Sequence, residues 1–147
     1  MLNLFNKKKK VDPLGQIFSD FTTNQKKSII SLLFIIGICD GKMSNEGSEI
    51  QYLKSYFYLL DVRLSEANSY MEAYGNERMV EDLQSLTKSQ KELLVVAAWE
   101  MITSDGRPNE RELQVATSIF EKFGVSKEQF VAIIEKALTL TELYLGK

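Results

Sequence analysis

The sequence predicts an all-α protein: a compact, single-domain bundle of about seven or eight helices with an internal pseudo-twofold duplication. The chain has 147 residues but only two prolines and eight glycines, which leaves little material for the turns of an all-β fold. Apolar residues recur at steps of three and four, the spacing of one helix face. Two long apolar segments also end in an Asp-Gly pair, at residues 40–41 and 105–106.

The residues around the two Asp-Gly pairs match as an internal repeat would, with residues 22–75 against residues 87–138. Upstream, three residues match at a constant offset: Thr22, Gln25 and Lys26 with Thr87, Gln90 and Lys91. Downstream, a two-residue shift aligns five more: Glu49, Gln51, Ser55, Phe57 and Val62 with Glu112, Gln114, Ser118, Phe120 and Val125. The sequence therefore predicts two halves of similar architecture.

The predicted elements follow from caps and breaks in chain order. Residues 1–11 are expected to form a flexible basic arm, and residues 12–147 the helical domain. The predicted helices cover about 13–21, 23–39, 45–60, 67–74, 77–86, 88–104, 110–122 and 127–145. Their starts are expected at residues that cap helices well, or at a proline in the first turn: Asp12-Pro13, Thr22 or Thr23, Ser44 or Asn45, Asn76, Thr87, Asn109 and Ser126.

Two of these predicted helices, 23–39 and 88–104, are apolar on nearly every side. A helix without a polar face belongs in the middle of a bundle. We therefore expect the two to form a central pair, around which the amphipathic helices pack. Trp99, in the second of them, is expected to be largely buried.

The composition excludes several classes of function. The chain contains no histidine and a single cysteine, Cys39, so histidine-based acid–base catalysis and zinc sites of the usual ligand set are excluded. A lone cysteine fits a reducing compartment, and we expect a cytoplasmic protein. The net charge is −2, and because Lys7–Lys10 carries four positive charges the remainder is near −6. An acidic body argues against nucleic-acid binding.

Two membrane-related interpretations concern the N-terminal third. The apolar segment 28–39 resembles a lipoprotein signal ending at Cys39, but Ile38 stands where a small residue is needed. The segment is also shorter than the 20 or so residues that span a bilayer, so we interpret it as a buried helix. The basic cluster of the arm offers a second possibility, a structural adaptor docked at an anionic membrane surface through Lys7, Lys8, Lys9 and Lys10.

The Asp-Gly corners have a structural and a functional interpretation. Glycine just past a helix end favours the left-handed closing conformation, and Asn109 with Glu112 resembles a capping box. Alternatively, the carboxylates at each corner bind Ca²⁺ or Mg²⁺, which prefer oxygen ligands. The candidate ligands are Asp40, Glu49, Asp105 and Glu112, with Glu46 and Glu110 as further candidates. An EF-hand is excluded, because its glycine position holds Asn45 or Glu110.

No enzyme is predicted. A metal-dependent hydrolase built on the same carboxylates is the alternative, but no candidate nucleophile or phosphate-binding glycine loop accompanies them. No motif for an organic cofactor is present either. The sequence instead favours a binding module that takes a divalent cation or another protein as its partner.

The chain resembles the tellurite-resistance TerB-like domain family, most closely in its second half. The resemblance rests on an apolar helix, the pair Asp105-Gly106, Glu112 in the first turn of the next helix, and the connector Phe-Gly-Val-Ser at residues 123–126. It covers about residues 22–137. Such a domain also stands at the N-terminal side of some membrane-bound DnaJ-type co-chaperones.

The resemblance implies an all-helical bundle without established catalytic activity, an acidic surface proposed to bind divalent cations, and an association with stress or metal resistance. The first half departs from the pattern, because two extra residues separate Asp40 from Glu49 and Gly47 stands where the family's glutamate would fall.

Overall fold

The computed structural model describes residues 20–39, 47–104, 106 and 108–145. These residues contain six α-helices and no strand: α1 Thr23–Ile38, α2 Ser48–Leu60, α3 Leu64–Gln84, α4 Lys88–Ile102, α5 Glu110–Lys122 and α6 Lys127–Leu145. The prediction of an all-helical bundle is confirmed for this part of the chain. The arm 1–11 and nearly all of the predicted helix 13–21 lie outside the described residues.

Three of the helices begin with the same reciprocal cap, as the sequence predicted for their starting residues. A hydroxyl accepts the amide N–H three residues on, at 3.0–3.1 Å, while the glutamine at that position accepts the capping residue's own N–H, at 2.8–2.9 Å. The pairs are Thr22–Gln25, Thr87–Gln90 and Ser126–Gln129. Each cap satisfies two amide groups that the helix itself leaves without a partner.

Helix α2 starts later than predicted. Its first residue is Ser48, preceded by Gly47 in an extended conformation with φ −70° and ψ 160°, whereas Ser44 or Asn45 was expected to begin it. Glycine disfavours the helix interior by about 1 kcal/mol relative to alanine. Starting the helix after Gly47 removes that cost.

Helix α3 is broken at Gly75, where the sequence placed the end of one helix and the start of another. Gly75 has φ 80° and ψ 178°, a conformation that favours glycine. Across the break the hydroxyl of Tyr70 donates to Asp82 at 2.6 Å, and Ser28 of α1 donates to the same carboxylate oxygen at 2.8 Å. Asp82 therefore links both segments of α3 to α1.

Helices α1 and α4 pack against each other at the centre of the bundle. Both also contact α2 and α5, while α3 packs on α1 and α6 packs on α4. The side chains that fill the core from this pair are fully or almost fully buried, and include Ile30, Leu33, Ile36, Val95, Ala98 and Met101. The predicted central pair is present.

Trp99 packs against the core of the bundle but is not fully enclosed by it. It is only partly buried, because it lies on the side of α4 that faces a groove between α5 and α6. The apolar character of α4 predicted burial on all sides. It gave no indication that the neighbouring helices leave this side open.

Candidate functional site: two helix corners

The second corner joins α4 to α5. The helix ends at Ile102 with Thr103 as its C-cap, so Gly106 lies in the turn beyond the helix and does not close it as predicted. Gly106 has φ 101° and its N–H donates to the carbonyl of Thr103 at 2.9 Å. A positive φ of this kind favours glycine, and it shapes the turn that leads to α5. Asp105, the predicted ligand beside it, lies outside the described residues.

Glu112 is the most deeply buried of the charged residues that the structure describes at this corner. It stands in the first turn of α5, where its amide N–H donates to Oδ1 of Asn109 at 2.9 Å, so the predicted Asn109 cap is confirmed. The Glu112 side chain is only 1% exposed. Removing a carboxylate from water costs several kcal/mol unless charges or hydrogen bonds compensate. The helix N-terminus supplies part of this compensation.

The first corner joins α1 to α2. Glu49 lies in the first turn of α2, and its Oε2 is shielded from solvent and accepts no hydrogen bond from the described part of the chain. The side chain as a whole is less deeply buried than that of Glu112. Asp40, Gly41 and Glu46 lie outside the described residues.

A tyrosine–glutamate contact next to this corner was missed by the sequence analysis. Tyr52, three residues after Glu49 in α2, donates its hydroxyl to Oε1 of Glu100 in α4 at 2.5 Å. Burial, and then the hydrogen bond to Glu100, raise the pKa of Tyr52 well above its usual value, so the hydroxyl stays protonated. The spacing of Tyr52 from Glu49 places both on one face of α2, but nothing in the sequence pairs that face with Glu100 of α4.

The described residues do not by themselves form a metal centre. Among residues 20–39, 47–104, 106 and 108–145, no three cysteine, aspartate or glutamate side chains are grouped closely enough to hold an ion. Glu49 and Glu112 are each held at their own corner. Glu110 is exposed and lines the groove beside Trp99, whereas Glu112 is buried.

That groove is the second feature that the sequence analysis missed. It has a volume of about 340 Å³ and lies between α5 and α6, with part of α4 as its floor. Apolar side chains dominate its lining: Trp99, Leu113, Phe130, Val131 and Ile134. An open apolar groove of this kind is a common place for a helix or a small molecule to bind.

No helix in the described part of the chain has the length and apolarity required to cross a membrane. The chain matches no protein-family model, no curated protein and no solved structure. The resemblance to TerB-like domains therefore stays a prediction from the residues quoted for it.

Proposed function

We propose that this chain is a non-enzymatic, TerB-like binding module whose two helix corners bind a divalent cation, Ca²⁺ or Mg²⁺. The proposed ligands are Asp40, Glu49, Asp105 and Glu112. The proposal is carried by Oε2 of Glu49, which is shielded from solvent and accepts no hydrogen bond from the described part of the chain, and by the burial of Glu112, which is 1% exposed at the matching position of α5. A role in stress or metal resistance, with a protein partner, is the biological context that the resemblance suggests.

The argument from burial is energetic. A carboxylate at the protein surface keeps its hydration, whereas a buried one loses it. At Glu112 the hydration is lost, and at Glu49 one carboxylate oxygen is shielded. A cation beside such a carboxylate compensates the lost hydration, and an oxygen-only set suits Ca²⁺ or Mg²⁺.

We also propose that the two corners are copies of one unit. The neighbours of each helix support this. Helix α1 contacts α2, α3 and α5. If α1–α3 correspond in order to α4–α6, the matching contacts are those of α4 with α5, α6 and α2, and all three are present. The matching caps at Thr22 and Thr87 add to the argument. On this basis each corner supplies one aspartate and one glutamate.

Calorimetric titration with Ca²⁺ and with Mg²⁺ tests the proposal. We expect the wild type to bind at least one of the ions, and the double variant Asp40→Asn with Asp105→Asn to bind it at least tenfold more weakly, because charge sets the affinity of oxygen ligands. The matched control is Asp20→Asn with Asp61→Asn, which removes the same charge at two exposed positions.

The same variants distinguish a cation-binding site from two corners that only shape the fold. If the Asp40 and Asp105 double variant is more stable than the wild type without ion yet binds it weakly, the corners are a site whose carboxylates repel one another. If the variant is simply less stable and binds the ions as the wild type does, the proposal is wrong. The basic arm at Lys7–Lys10 then becomes the region to test, by liposome binding.

A further inference from the structure

Helix α6 presents apolar side chains that nothing in the described part of the chain covers. It packs on α4 and α5 through Phe130 and Ile134, which are buried. Val131 and Leu138 are 44% and 48% exposed, and their spacing of seven residues places both on one face of the helix. Val131 also lines the groove above Trp99. These two exposed side chains flank Glu135 on this face and extend the apolar lining of the groove onto the surface of α6.

The charged residues on this face of α6 are placed so that two antiparallel copies of the helix bring opposite charges together. Lys127 and Glu135 both line the groove, and each stands four residues from Val131, one helical turn to either side. When two copies of such a helix lie antiparallel and cross at Val131, residue 131+n of one faces residue 131−n of the other. Lys127 of each copy then faces Glu135 of the second copy. A parallel arrangement would bring like charges together.

Glu110 increases the difference in charge between the two ends of the groove. The connector of α5 and α6 has only four residues, 123–126, and the two helices pack together, so they run roughly antiparallel. The start of α5 is therefore level with the later part of α6. Glu110 lies at the same end of the groove as Glu135, which makes that end acidic and the Lys127 end basic.

We propose that a second copy of this chain covers the groove, with the two α6 helices antiparallel about a two-fold axis at Val131. The arrangement is isologous, so each surface meets an identical one. Val131 faces its own counterpart at the axis. The interface is small and the dimer is accordingly weak.

Sedimentation equilibrium between about 1 µM and 1 mM tests the dimer, since a weak dimer forms only as concentration rises. We expect the wild type to pass from monomer to dimer within that range. Glu135→Lys and Lys127→Glu should each weaken dimerisation by about tenfold or more, because each reversal changes two symmetric charge pairs. Matched controls are Glu77→Lys on α3 and Lys136→Glu on α6, which are exposed and do not line the groove.

The decisive step is to mix the two single variants. In a mixed dimer both charge pairs are opposite again, so the equimolar mixture should dimerise about as well as the wild type although neither variant does so alone. Circular dichroism of each variant checks that the helices are retained. A wild type that stays monomeric up to 1 mM, or a mixture that fails to recover dimerisation, would overturn the proposal and leave the groove to a different occupant.

Discussion

The two corners of the bundle hold their first-turn glutamates at different depths. Glu112 at the second corner is almost fully buried, and Asn109 caps its helix with a side-chain hydrogen bond. Glu49 at the first corner is only partly buried, and Gly47 provides no side-chain cap. The sequence places an Asp-Gly pair and a glutamate at both corners, so the local motif alone does not explain the difference.

The difference follows from what packs over each corner. Helix α5 packs against α1, α4 and α6, whereas the main neighbours of α2 are α1 and α4. Within the described part of the chain the outer side of α2 consequently remains open, and Tyr58 is 88% exposed there. A repeated motif therefore acquires its environment from the elements around it, and the second corner is the better-enclosed copy.

The largest expected contrast between the halves concerns the matched phenylalanines Phe57 and Phe120. Phe120 is fully buried and packs against Phe123 and Phe130 at ring-centre distances of 4.8 and 5.2 Å. Phe120→Ala should cost about 3–5 kcal/mol of unfolding free energy, because it leaves a cavity in the core. Phe57 is only partly buried, and Phe57→Ala should cost roughly half as much or less, since burial sets the size of the loss. Urea denaturation measures both values.

If Phe57→Ala and Phe120→Ala lose the same unfolding free energy within error, the stated contrast between the two halves is wrong. Equal costs would mean that the two halves enclose their cores equally well. The stated difference in packing over α2 and α5 would then be wrong.

A smaller effect is expected at the first corner from Tyr52→Phe. The variant loses the hydrogen bond to Glu100, which should cost about 1 kcal/mol at neutral pH. Above pH 10 the unfolded chain releases the Tyr52 proton while the folded chain, whose Tyr52 pKa is raised, retains it. Stability contributed by this group is thus present below pH 10 and falls as pH rises further, by at most about 1.4 kcal/mol per pH unit.

Urea denaturation at pH 7, 10 and 11 tests this expectation. The wild type should lose stability more steeply above pH 10 than Tyr52→Phe does. The stability of Tyr52→Phe should still fall with pH above 10, because the pKa values of Tyr56 and Tyr70 are raised as well. Identical slopes in the two proteins would show that the contact of Tyr52 with Glu100 does not hold the proton.

The elements that depend on local chemistry were predictable from sequence. The caps at Thr22, Thr87, Asn109 and Ser126 were all expected, because a capping side chain acts within three residues of its own position. The break at Gly75 was expected for a similar reason, since glycine tolerates a backbone conformation that other residues avoid.

The features that depend on packing between helices were not predictable in the same way. Three such features arise where elements far apart in sequence meet. They are the incomplete burial of Trp99, the groove beside it and the contact of Tyr52 with Glu100. The burial of Glu112 belongs to this class, because periodicity marks a first-turn glutamate as a capping residue without indicating that α5 encloses it. Asp40 and Asp105 lie outside the described residues, and their place in a site stays a prediction.

The most direct test of the proposed cation site compares Glu49→Gln with Glu112→Gln in thermal melts, without ion and with about 5 mM Ca²⁺ or Mg²⁺. We predict that ion raises the melting temperature of the wild type, that Glu112→Gln abolishes the rise, and that Glu49→Gln reduces it less. An unchanged wild-type melting temperature with either ion, or a full ion response in Glu112→Gln, would contradict the account and leave Glu112 as a helix cap alone.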